Sequence, residues 1–210
     1  MSNIHSILTE DAAHEEILRT AGRLGQQLKI PTYVVGGYVR DKLLNRFSKD
    51  IDIMVEGDGI AFAKKLTKKL GVDSIVEYET FGTALIPHPE LDIEVASARK
   101  ESYNSNSRKP HVEISTLDED LSRRDFTINS MAASILPDTF GDLVDPYGGI
   151  KDLHKQIIIT PLDPDETFSD DPLRMLRALR FSAQLDFKVA SNILDSISRQ
   201  KDRISIISWE

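Results

Sequence analysis

The sequence predicts an α/β domain that is followed by an all-α segment. Up to about residue 155, short runs rich in β-branched residues alternate with longer runs of helical periodicity. This alternation is typical of sheets with flanking helices. Beyond that point the long periodic runs are helical, and no convincing strand follows. We therefore expect one domain over residues 1–155 and a helical extension over residues 156–210 that is truncated.

The elements of the first domain are predicted from periodicity and from residues that start or stop helices. Thr9 is expected to cap the first helix, because a side-chain hydroxyl satisfies free amide groups at a helix start. The polar stretch 99–115 has few apolar anchors and is predicted to be an exposed, mobile loop. The predicted elements are helices at 10–28, 38–47 and 59–70 and strands at 31–35, 50–55, 74–80, 82–88 and 91–99.

Composition excludes several classes of protein. The 210 residues contain no cysteine, so neither a disulfide framework nor a thiolate metal site is possible. No apolar run approaches the roughly 20 residues that span a bilayer, and the N-terminus lacks the basic and apolar regions of a signal peptide. We expect a cytoplasmic protein with no membrane partner. The net charge of −8 argues against a generally basic nucleic-acid surface, although it allows a local basic groove.

The segment VVGGYVRD is the first candidate for binding chemistry. Gly36 and Gly37 separate a predicted strand from a predicted helix, so backbone amides and the helix start can approach an anion. Arg40 follows one helical turn after Gly37, and its guanidinium can reach the same anion. This arrangement predicts a phosphate site. For paired glycines alone, a tight turn with Arg40 in solvent is the more common explanation.

The segment KDIDIMV carries two carboxylates on one face of a predicted strand. Asp50 and Asp52 share a face, while the alternate residues Ile51 and Ile53 face the core. Two carboxylates this close repel each other unless a cation lies between them. A pair of Mg²⁺ ions would serve, and two metals about 3.5–4 Å apart support phosphoryl transfer. A solvated strand face is the commoner explanation for such a pair, but the preceding glycine turn favours metal binding.

A third carboxylate is expected from the strand LDIEVASAR. Asp92 and Glu94 share a strand face, and either residue can stand beside the aspartate pair. We choose Glu94 as the third residue of the site. Plain solvent exposure is an equally common explanation for this pattern.

The block RRDFTINSMA combines positive charge with a possible internal partner. Arg123 and Arg124 precede Asp125, and an arginine held by an aspartate is a rigid anion ligand. A purely structural salt bridge is the more frequent outcome for such a block when it is seen alone.

The segment DDPLRMLRALRF predicts a helix with a base-reading pair at its start. Asp171 and Arg174 are three residues apart and lie side by side on a helix. An acceptor beside a donor matches the pairing edges of adenine and cytosine, whereas guanine and uracil present the reverse order. Arg177, one turn further on, can support the base or the phosphates. The alternative is a well-capped helix that buries Met175, Leu176 and Leu179.

The order of these blocks resembles a known family. GGYVRDKLLNRFSKDIDIMV, RRDFTINSMA, DPYGGIKDL and DDPLRMLRALRF follow one another as in the class II tRNA nucleotidyltransferases (CCA-adding enzymes) and bacterial poly(A) polymerases. The resemblance spans roughly residues 33–187. It implies a polymerase-β-type nucleotidyltransferase head domain over residues 1–155 and an all-α neck over residues 156–210.

The resemblance also implies roles for the residues already singled out. Asp50 and Asp52 match the metal-binding catalytic pair, and Asp171, Arg174 and Arg177 match the helix that selects the incoming base. The residues that match the triphosphate site are Gly37, Arg40 and Arg124, with Gly36 beside them. In the family the last block usually opens with Glu-Asp, whereas here it opens with Asp170 and Asp171, which puts a separate role for residue 170 in question.

The implied activity is the template-independent addition of CMP and AMP, from CTP and ATP, to the 3′ end of tRNA with Mg²⁺ as cofactor and release of pyrophosphate. The implied partners are CTP, ATP and the tRNA 3′ end, which regions absent from this chain would mainly grip. A poly(A) polymerase, or an enzyme that adds only A or only CC, is the alternative within the family. Outside it, the alternatives are a small-molecule nucleotidyltransferase and a catalytically silent nucleotide- or RNA-binding module, which would have no need of both aspartates.

Overall fold

The structure is a computed structural model that describes residues 2–102 and 111–207. Within these ranges no helix combines the length and the apolar character that a bilayer crossing requires. The predicted α/β class is confirmed: a mixed sheet is flanked by helices, and helices dominate the C-terminal part.

The helices agree with the predicted segments, with shifts at their ends. Asp11, not Thr9, caps the second helix, because its carboxylate accepts hydrogen bonds from the backbone amides of Ala13 and His14. The helices are α1 (His5–Leu8), α2 (Ala12–Leu28), α3 (Gly37–Leu43), α4 (Gly59–Leu70), α5 (Leu117–Ser122), α6 (Gly149–Lys155), α7 (Pro164–Asp170), α8 (Leu173–Leu185) and α9 (Ser191–Gln200).

The strands form one large sheet and two small ones. The strands are β1 (Thr32–Val35), β2 (Asp50–Val55), β3 (Val76–Tyr78), β4 (Thr83–Pro87), β5 (Asp92–Ser97), β6 (Arg99–Ser102), β7 (His111–Ile114), β8 (Ala132–Ser134), β9 (Leu143–Val144), β10 (Ile157–Ile158) and β11 (Lys188–Val189). The large sheet has seven strands in the order β3-β4-β5-β2-β1-β8-β9. Strands β2 and β5 run parallel at its centre, and the other pairs are antiparallel.

One face of the large sheet is buried against helices α2 and α4. On β2 the core-facing residues are Ile51, Ile53 and Val55, and all three are almost fully buried. Phe62 and Leu66 of α4 belong to the same core cluster. Alternate residues of each strand therefore point to the opposite face, and this alternation fixes the direction of Asp50 and Asp52.

The opposite face of the sheet is covered over only part of its width. Leu117 and Leu121 of α5 pack with Val35, Met54 and Ala132, so this face is closed above β1 and β8. In the part of the chain that the structure describes, the face is open above β5, β4 and β3. The open region carries the carboxylates and two exposed edge residues of β3.

The C-terminal helices pack against each other and against the first domain. Asp165 of α7 accepts hydrogen bonds from Ser196 and Arg199 of α9, which ties these helices together. The rings of Phe181 on α8 and Phe126 meet edge to face with their centroids 5.8 Å apart. This aromatic contact brings α8 to the open side of the sheet, where it forms one wall of a cavity.

Two expectations about secondary structure were wrong. The predicted loop 99–115 contains the antiparallel pair β6 and β7, and its central residues 103–110 lie outside the described residues. The C-terminal segment also contains β10 and β11, which pair in parallel. The alternative in which α8 buries Met175, Leu176 and Leu179 holds only for Met175, because Leu176 and Leu179 are exposed.

Candidate active site

A cavity of about 730 Å³ lies between the open face of the sheet and α8. It brings together most of the residues that the sequence singled out. Gly36 and Asp50 are not among the lining residues: Gly36 directly precedes Gly37, and Asp50 lies two residues before Asp52 on the same strand face. The predicted residues that line the cavity are Gly37, Arg40, Asp52, Glu94, Arg124, Asp171, Arg174 and Arg177.

The carboxylates are aligned by the pairing of β2 with β5. The parallel register places Asp50 opposite Asp92 and Asp52 opposite Glu94, with all four residues on the same face of the sheet. Glu94 lines the cavity, whereas Asp92 is not among its lining residues. Of the two acids that the sequence left open, Glu94 is therefore the one beside Asp52 in the cavity.

The carboxylates on this face of the sheet repel one another, and the nearby arginines offset this repulsion only in part. Burial raises the pKa of Asp52 to about 6, and the neighbouring charges of Glu94 and Asp50 add to this effect. The guanidinium groups of Arg124 and Arg40 act in the opposite direction but do not cancel it. A bound cation would favour the ionised form of Asp52.

The donors present fit Mg²⁺ bound together with a substrate. Among residues 2–102 and 111–207, no three side chains of His, Cys, Asp or Glu form a complete metal-binding group. Mg²⁺ is usually held by one or two carboxylates, and phosphate oxygens and water supply its other ligands. Asp50 and Asp52 offer such a partial set on one strand face.

Gly36 allows Arg124 to approach the turn before α3. Its backbone has φ 65° and ψ −128°, a conformation that side chains strongly disfavour. A Cβ atom at this position would lie 2.6 Å from the Nη1 atom of Arg124. At Gly37 the nearest atom to such a Cβ is the Nη2 atom of Arg40 at 3.6 Å, which is ordinary contact. The two glycines therefore differ: Gly36 is required by geometry, and Gly37 is not.

Asp120 holds both arginines of the RRD block. Its side chain is 2% exposed, and it accepts hydrogen bonds from Arg123 at 2.5 Å and from the Nη2 atom of Arg124 at 2.8 Å. Burial raises the pKa of Asp120, but the charges and hydrogen bonds of Arg124 and Arg123 outweigh burial and hold that pKa below its usual value. Arg124 is thus a cation fixed in position at the cavity wall.

The expected partner of these arginines, Asp125, pairs elsewhere. Its carboxylate accepts hydrogen bonds from the backbone amide of Phe126 at 2.9 Å and from the Nδ2 atom of Asn129 at 2.9 Å. It also accepts a hydrogen bond from the Nε atom of Arg177 at 2.7 Å. The internal ion pair predicted within the block is therefore wrong, and Asp125 instead links this block to α8.

The guanidinium of Arg40 is already engaged within the protein. Its Nε and Nη2 atoms donate to Asp41 at 2.9 and 2.8 Å, and its Nη1 donates to Asn129 at 2.7 Å. The side chain is buried and lies 5.1 Å from the centre of the Phe181 ring. Arg40 is therefore a rigid part of the cavity wall, not the solvated side chain of the simpler alternative.

Three arginine side chains lie around the ring of Phe181 at this wall. Besides Arg40, the guanidinium groups of Arg177 and Arg180 lie 5.2 and 5.1 Å from the Phe181 centroid. Each distance is within the range of a cation–π interaction. The ring thereby concentrates positive charge opposite the carboxylates, and all three arginines line the cavity.

Asp171 lies just before the start of α8 and Arg174 lies in its first turn, so they are not two residues of one helix. Asp171 is extended, ends α7 and accepts the backbone amide of Leu173 at 3.0 Å, so it caps α8 from outside. Arg174 lies in the first turn and is 7% exposed. Both residues line the cavity, so an acceptor and a donor still stand at one end of it.

Several residues of the site were missed by the sequence reasoning. Asp120 lies three and four residues before the two arginines, and this helical spacing could have indicated it. Asn129 contacts Arg40 across 89 residues, and no local pattern indicates that contact. Phe181 resembles an ordinary core residue in sequence, because its role depends on arginines from two separate segments.

Comparison with known families gives one model that covers most of this region. The family model described as the Poly A polymerase head domain matches residues 32–159. The match includes β1, β2 and β5, the RRD block and α6, and it ends before α7.

Named relatives resemble most of this chain but are much longer. An A-adding tRNA nucleotidyltransferase of Geobacter sulfurreducens is 42% identical over 83% of this chain and 20% of its own length. One of Aquifex aeolicus is 46% identical over 75% of this chain and 19% of its own length. A CCA-adding enzyme of Enterococcus faecalis is 38% identical over 85% of this chain and 42% of its own length. The chain thus spans between about a fifth and less than half of the length of these relatives.

Solved structures share the fold at clear sequence identity. The structure of a CCA-adding enzyme in an apo form superposes with a TM-score of 0.88 at 36% identity, covering 96% of this chain and 48% of the other. A tRNA nucleotidyltransferase complexed with a primer tRNA and an incoming ATP analogue gives a TM-score of 0.74 at 36% identity, covering 87% of this chain and 50% of the other.

The contrast between the two glycines predicts different effects of the same substitution. Gly36→Ala should lower the free energy of unfolding by at least about 1–3 kcal/mol, because the positive φ and the contact with Arg124 both oppose a methyl group. Gly37→Ala is the matched control and should leave stability within about 0.5 kcal/mol of wild type. Urea unfolding of the two variants measures both values. Equal stability of the two variants would contradict this account of the turn.

The buried position of Asp120 predicts a pH-dependent contribution to stability. Asp120→Asn should lower the free energy of unfolding by about 2–4 kcal/mol at pH 7, because Arg123 and Arg124 would lose their shared carboxylate. Since the pKa of Asp120 is lowered in the folded state, this contribution is present above the usual value of 3.8 and is lost as the pH falls through the lowered pKa.

Urea unfolding between pH 7 and pH 2 would therefore show a stability difference between wild type and Asp120→Asn that is constant near neutral pH and shrinks below 3.8. Asp118→Asn, on the exposed side of the same helix, is the matched control and should change stability little at any pH. A constant difference between wild type and Asp120→Asn across this pH range would contradict the ionised pairing of Asp120.

Proposed function

The chain belongs to the Poly A polymerase head domain family, and on that premise we propose that it transfers nucleotides to the 3′ end of tRNA. The proposed substrates are ATP and CTP, the proposed product is a tRNA extended by CMP and AMP, and the released product is pyrophosphate. The single observation that carries the proposal is the shared cavity. It joins carboxylates on the sheet to an arginine-rich wall and to the acceptor–donor pair at the start of α8.

The carboxylates are proposed to hold the reacting end of the site. Asp50 and Asp52 would bind Mg²⁺, with Glu94 beside them, because they present oxygen donors on one strand face. Bound there with the nucleotide, Mg²⁺ would lower the pKa of the attacking hydroxyl and stabilise the charge of the leaving pyrophosphate. The RNA 3′ oxygen forms a bond to the α-phosphorus, the bond from this phosphorus to the pyrophosphate breaks, and the hydroxyl proton leaves to solvent.

The arginine wall is proposed to orient the triphosphate. Arg124 is fixed by Asp120 and stands against Gly36, so it is a rigid cation near the turn before α3. Arg40, which is fixed by Asp41 and Asn129, adds a second fixed positive charge. Preorganised charges of this kind stabilise the transition state because they need no rearrangement during the reaction.

The start of α8 is proposed to select the base. The carboxylate of Asp171 and the guanidinium of Arg174 both line the cavity. They provide an acceptor for the amino group and a donor for the ring nitrogen of adenine or cytosine. Guanine and uracil would place a donor against the arginine or an acceptor against the carboxylate. Arg177 is held by Asp125 and would support the base from the next turn.

A-only addition is the second candidate function. The relatives from Geobacter sulfurreducens and Aquifex aeolicus are named A-adding tRNA nucleotidyltransferases, whereas the one from Enterococcus faecalis is named a CCA-adding enzyme. The acceptor–donor pair accepts cytosine and adenine alike. We retain CCA addition because nothing in this pair excludes CTP, and we treat A-only addition as the outcome to test against it.

We propose that the chain divides into two parts, one for catalysis and one that carries the base-selecting helix. Residues 1–155 would form the nucleotidyltransferase head, and residues 156–210 would form a helical neck. The position of α8 supports this division, since it faces the sheet across the cavity and contributes the base-selecting residues.

The role of the carboxylates predicts a loss of activity. Asp52→Asn in the full-length protein should lower Mg²⁺-dependent incorporation of AMP into tRNA by at least about 100-fold, because a metal ligand worth several kcal/mol is lost. Glu94→Gln should also lower it. Asp92→Asn, on the same strand and face but outside the cavity lining, is the matched control and should retain activity.

The assay offers each of the four nucleotides with tRNA that lacks CCA, with tRNA that lacks only the terminal A, and with an oligo(A) primer. CMP and AMP addition supports CCA activity, AMP addition to tRNA that lacks only A supports the A-only alternative, and extension of oligo(A) supports a poly(A) polymerase. Undiminished turnover by Asp52→Asn would overturn the metal assignment.

The role of Arg174 predicts a change in base selection. Arg174→Ala should reduce the preference for ATP over GTP by about 10- to 100-fold in kcat/KM, because a charged hydrogen bond to the base is lost. Leu179→Ala, on the exposed face of the same helix, is the matched control and should keep the wild-type preference. Thermal melts confirm that both variants fold. An unchanged preference in Arg174→Ala would mean that the base is read elsewhere.

A further inference from the structure

The open face of the sheet extends past the carboxylates to an aromatic edge. Strand pairing aligns Asp52, Glu94, Leu85 and Val76 in one row across four strands. The neighbouring row contains Thr83 and Tyr78. Because paired residues of neighbouring strands point to the same side, Tyr78 lies on the same face as Asp52 and Glu94. Strand β3 is two strands from β5, or about 10 Å.

Two aromatic side chains are exposed at this edge. Tyr78 is 47% exposed and Phe81 is 43% exposed. Together with Thr83, Glu94 and Arg99 they line a smaller hollow, and Phe81, Thr83, Glu94 and Arg99 line the main cavity as well. The aromatic edge is therefore continuous with the candidate active site.

The turn that carries Phe81 is held in place by several hydrogen bonds. Its carbonyl oxygen accepts from the Nη1 atom of Arg99 at 2.9 Å and from the hydroxyl of Thr83 at 3.3 Å. The next residue, Gly82, has φ 60°, and its carbonyl accepts the amide of Ser97 at 3.1 Å. An exposed aromatic residue on a turn fixed in this way is suited to binding a ligand, because little conformational entropy remains to be lost.

The cation of Arg99 and the carboxylate of Glu94 line the hollow beside the two rings. The guanidinium of Arg99 lies 6.0 Å from the centre of the Phe81 ring. Arg99 is oriented by Glu101 as well as by the carbonyl of Phe81, so its position is fixed. Aromatic rings beside a fixed arginine are the usual means by which proteins bind single-stranded nucleic acid, with bases on the rings and phosphates near the cation.

We infer that Tyr78, Phe81 and Arg99 form a subsite for the 3′-terminal nucleotides of the acceptor RNA. This inference rests on the proposed function, which requires two ligands in one cavity. The base of the incoming nucleotide belongs to the α8 end, next to Asp171 and Arg174. The acceptor RNA reaches the carboxylates from the opposite end, over β4 and β3, and its last bases stack on Phe81 and Tyr78.

The acceptor subsite predicts a change in RNA affinity that leaves nucleotide affinity unaltered. Phe81→Leu and Tyr78→Leu in the full-length protein remove the rings and keep apolar bulk. Each should raise the KM for tRNA lacking its terminal A by about tenfold, because one stacked base is lost. The KM for ATP should stay within about twofold of wild type. Phe81→Trp and Tyr78→Phe keep a ring and should raise the KM for tRNA less than the leucine variants do.

Phe47→Leu is the matched control, since Phe47 is 76% exposed and does not line the cavity. Its KM values should equal those of wild type. An unchanged KM for RNA in Phe81→Leu and Tyr78→Leu would overturn the acceptor subsite. So would a rise in the KM for ATP equal to that for RNA, because it would indicate a general distortion of the cavity.

A binding measurement separates this inference from the proposed function. RNA with 2-aminopurine at its 3′ end loses fluorescence when that base stacks on an aromatic ring. Wild type should quench the signal, and Phe81→Leu should quench it less, whether or not any nucleotide is transferred. Absence of transfer by wild type counts against the proposed function alone. Absence of quenching by wild type, or equal quenching by Phe81→Leu, overturns the subsite.

Discussion

The parallel pairing of β2 with β5 is the constraint on which the candidate site depends. The register places Asp52 beside Glu94 on one face, while Ile51, Ile53 and their neighbours hold the other face in the core. A shift of one residue would turn the carboxylates into the core and bring isoleucines to the cavity. The burial of β2 therefore does more than stabilise the domain, because it fixes the direction of the charges.

Positive charge is brought to the carboxylate face by arginines whose side chains are held in position by hydrogen bonds. Asp120 fixes Arg124, Asn129 fixes Arg40, and Asp125 fixes Arg177 of α8. Each arginine thus has an internal carboxylate or amide partner, and the cavity wall keeps its shape without a ligand. Such preorganisation is what a site for a triphosphate requires, since flexible cations would lose entropy on binding.

The direction of side chains within a single helix or strand could be predicted from the sequence, whereas contacts between distant segments could not. Alternation along β2 was enough to place Asp50 and Asp52 on one face, since Ile51 and Ile53 mark the core side. The pairing of Asp125 with Arg177 spans 52 residues and follows from the packing of α8, which periodicity does not reveal. The antiparallel pairing of β6 and β7 was missed because ion pairs such as Arg99 with Glu101, not apolar alternation, accompany it.

The central claim is that the two aspartates of β2 bind a divalent cation together with a nucleotide. Crystals of the full-length protein grown with Mn²⁺ and a non-hydrolysable ATP analogue test this directly, because Mn²⁺ scatters anomalously. The account predicts an anomalous peak about 2.0–2.3 Å from carboxylate oxygens of Asp50 and Asp52 and from oxygens of the triphosphate. A metal bound by the triphosphate alone, with both carboxylates free of it, would contradict the account.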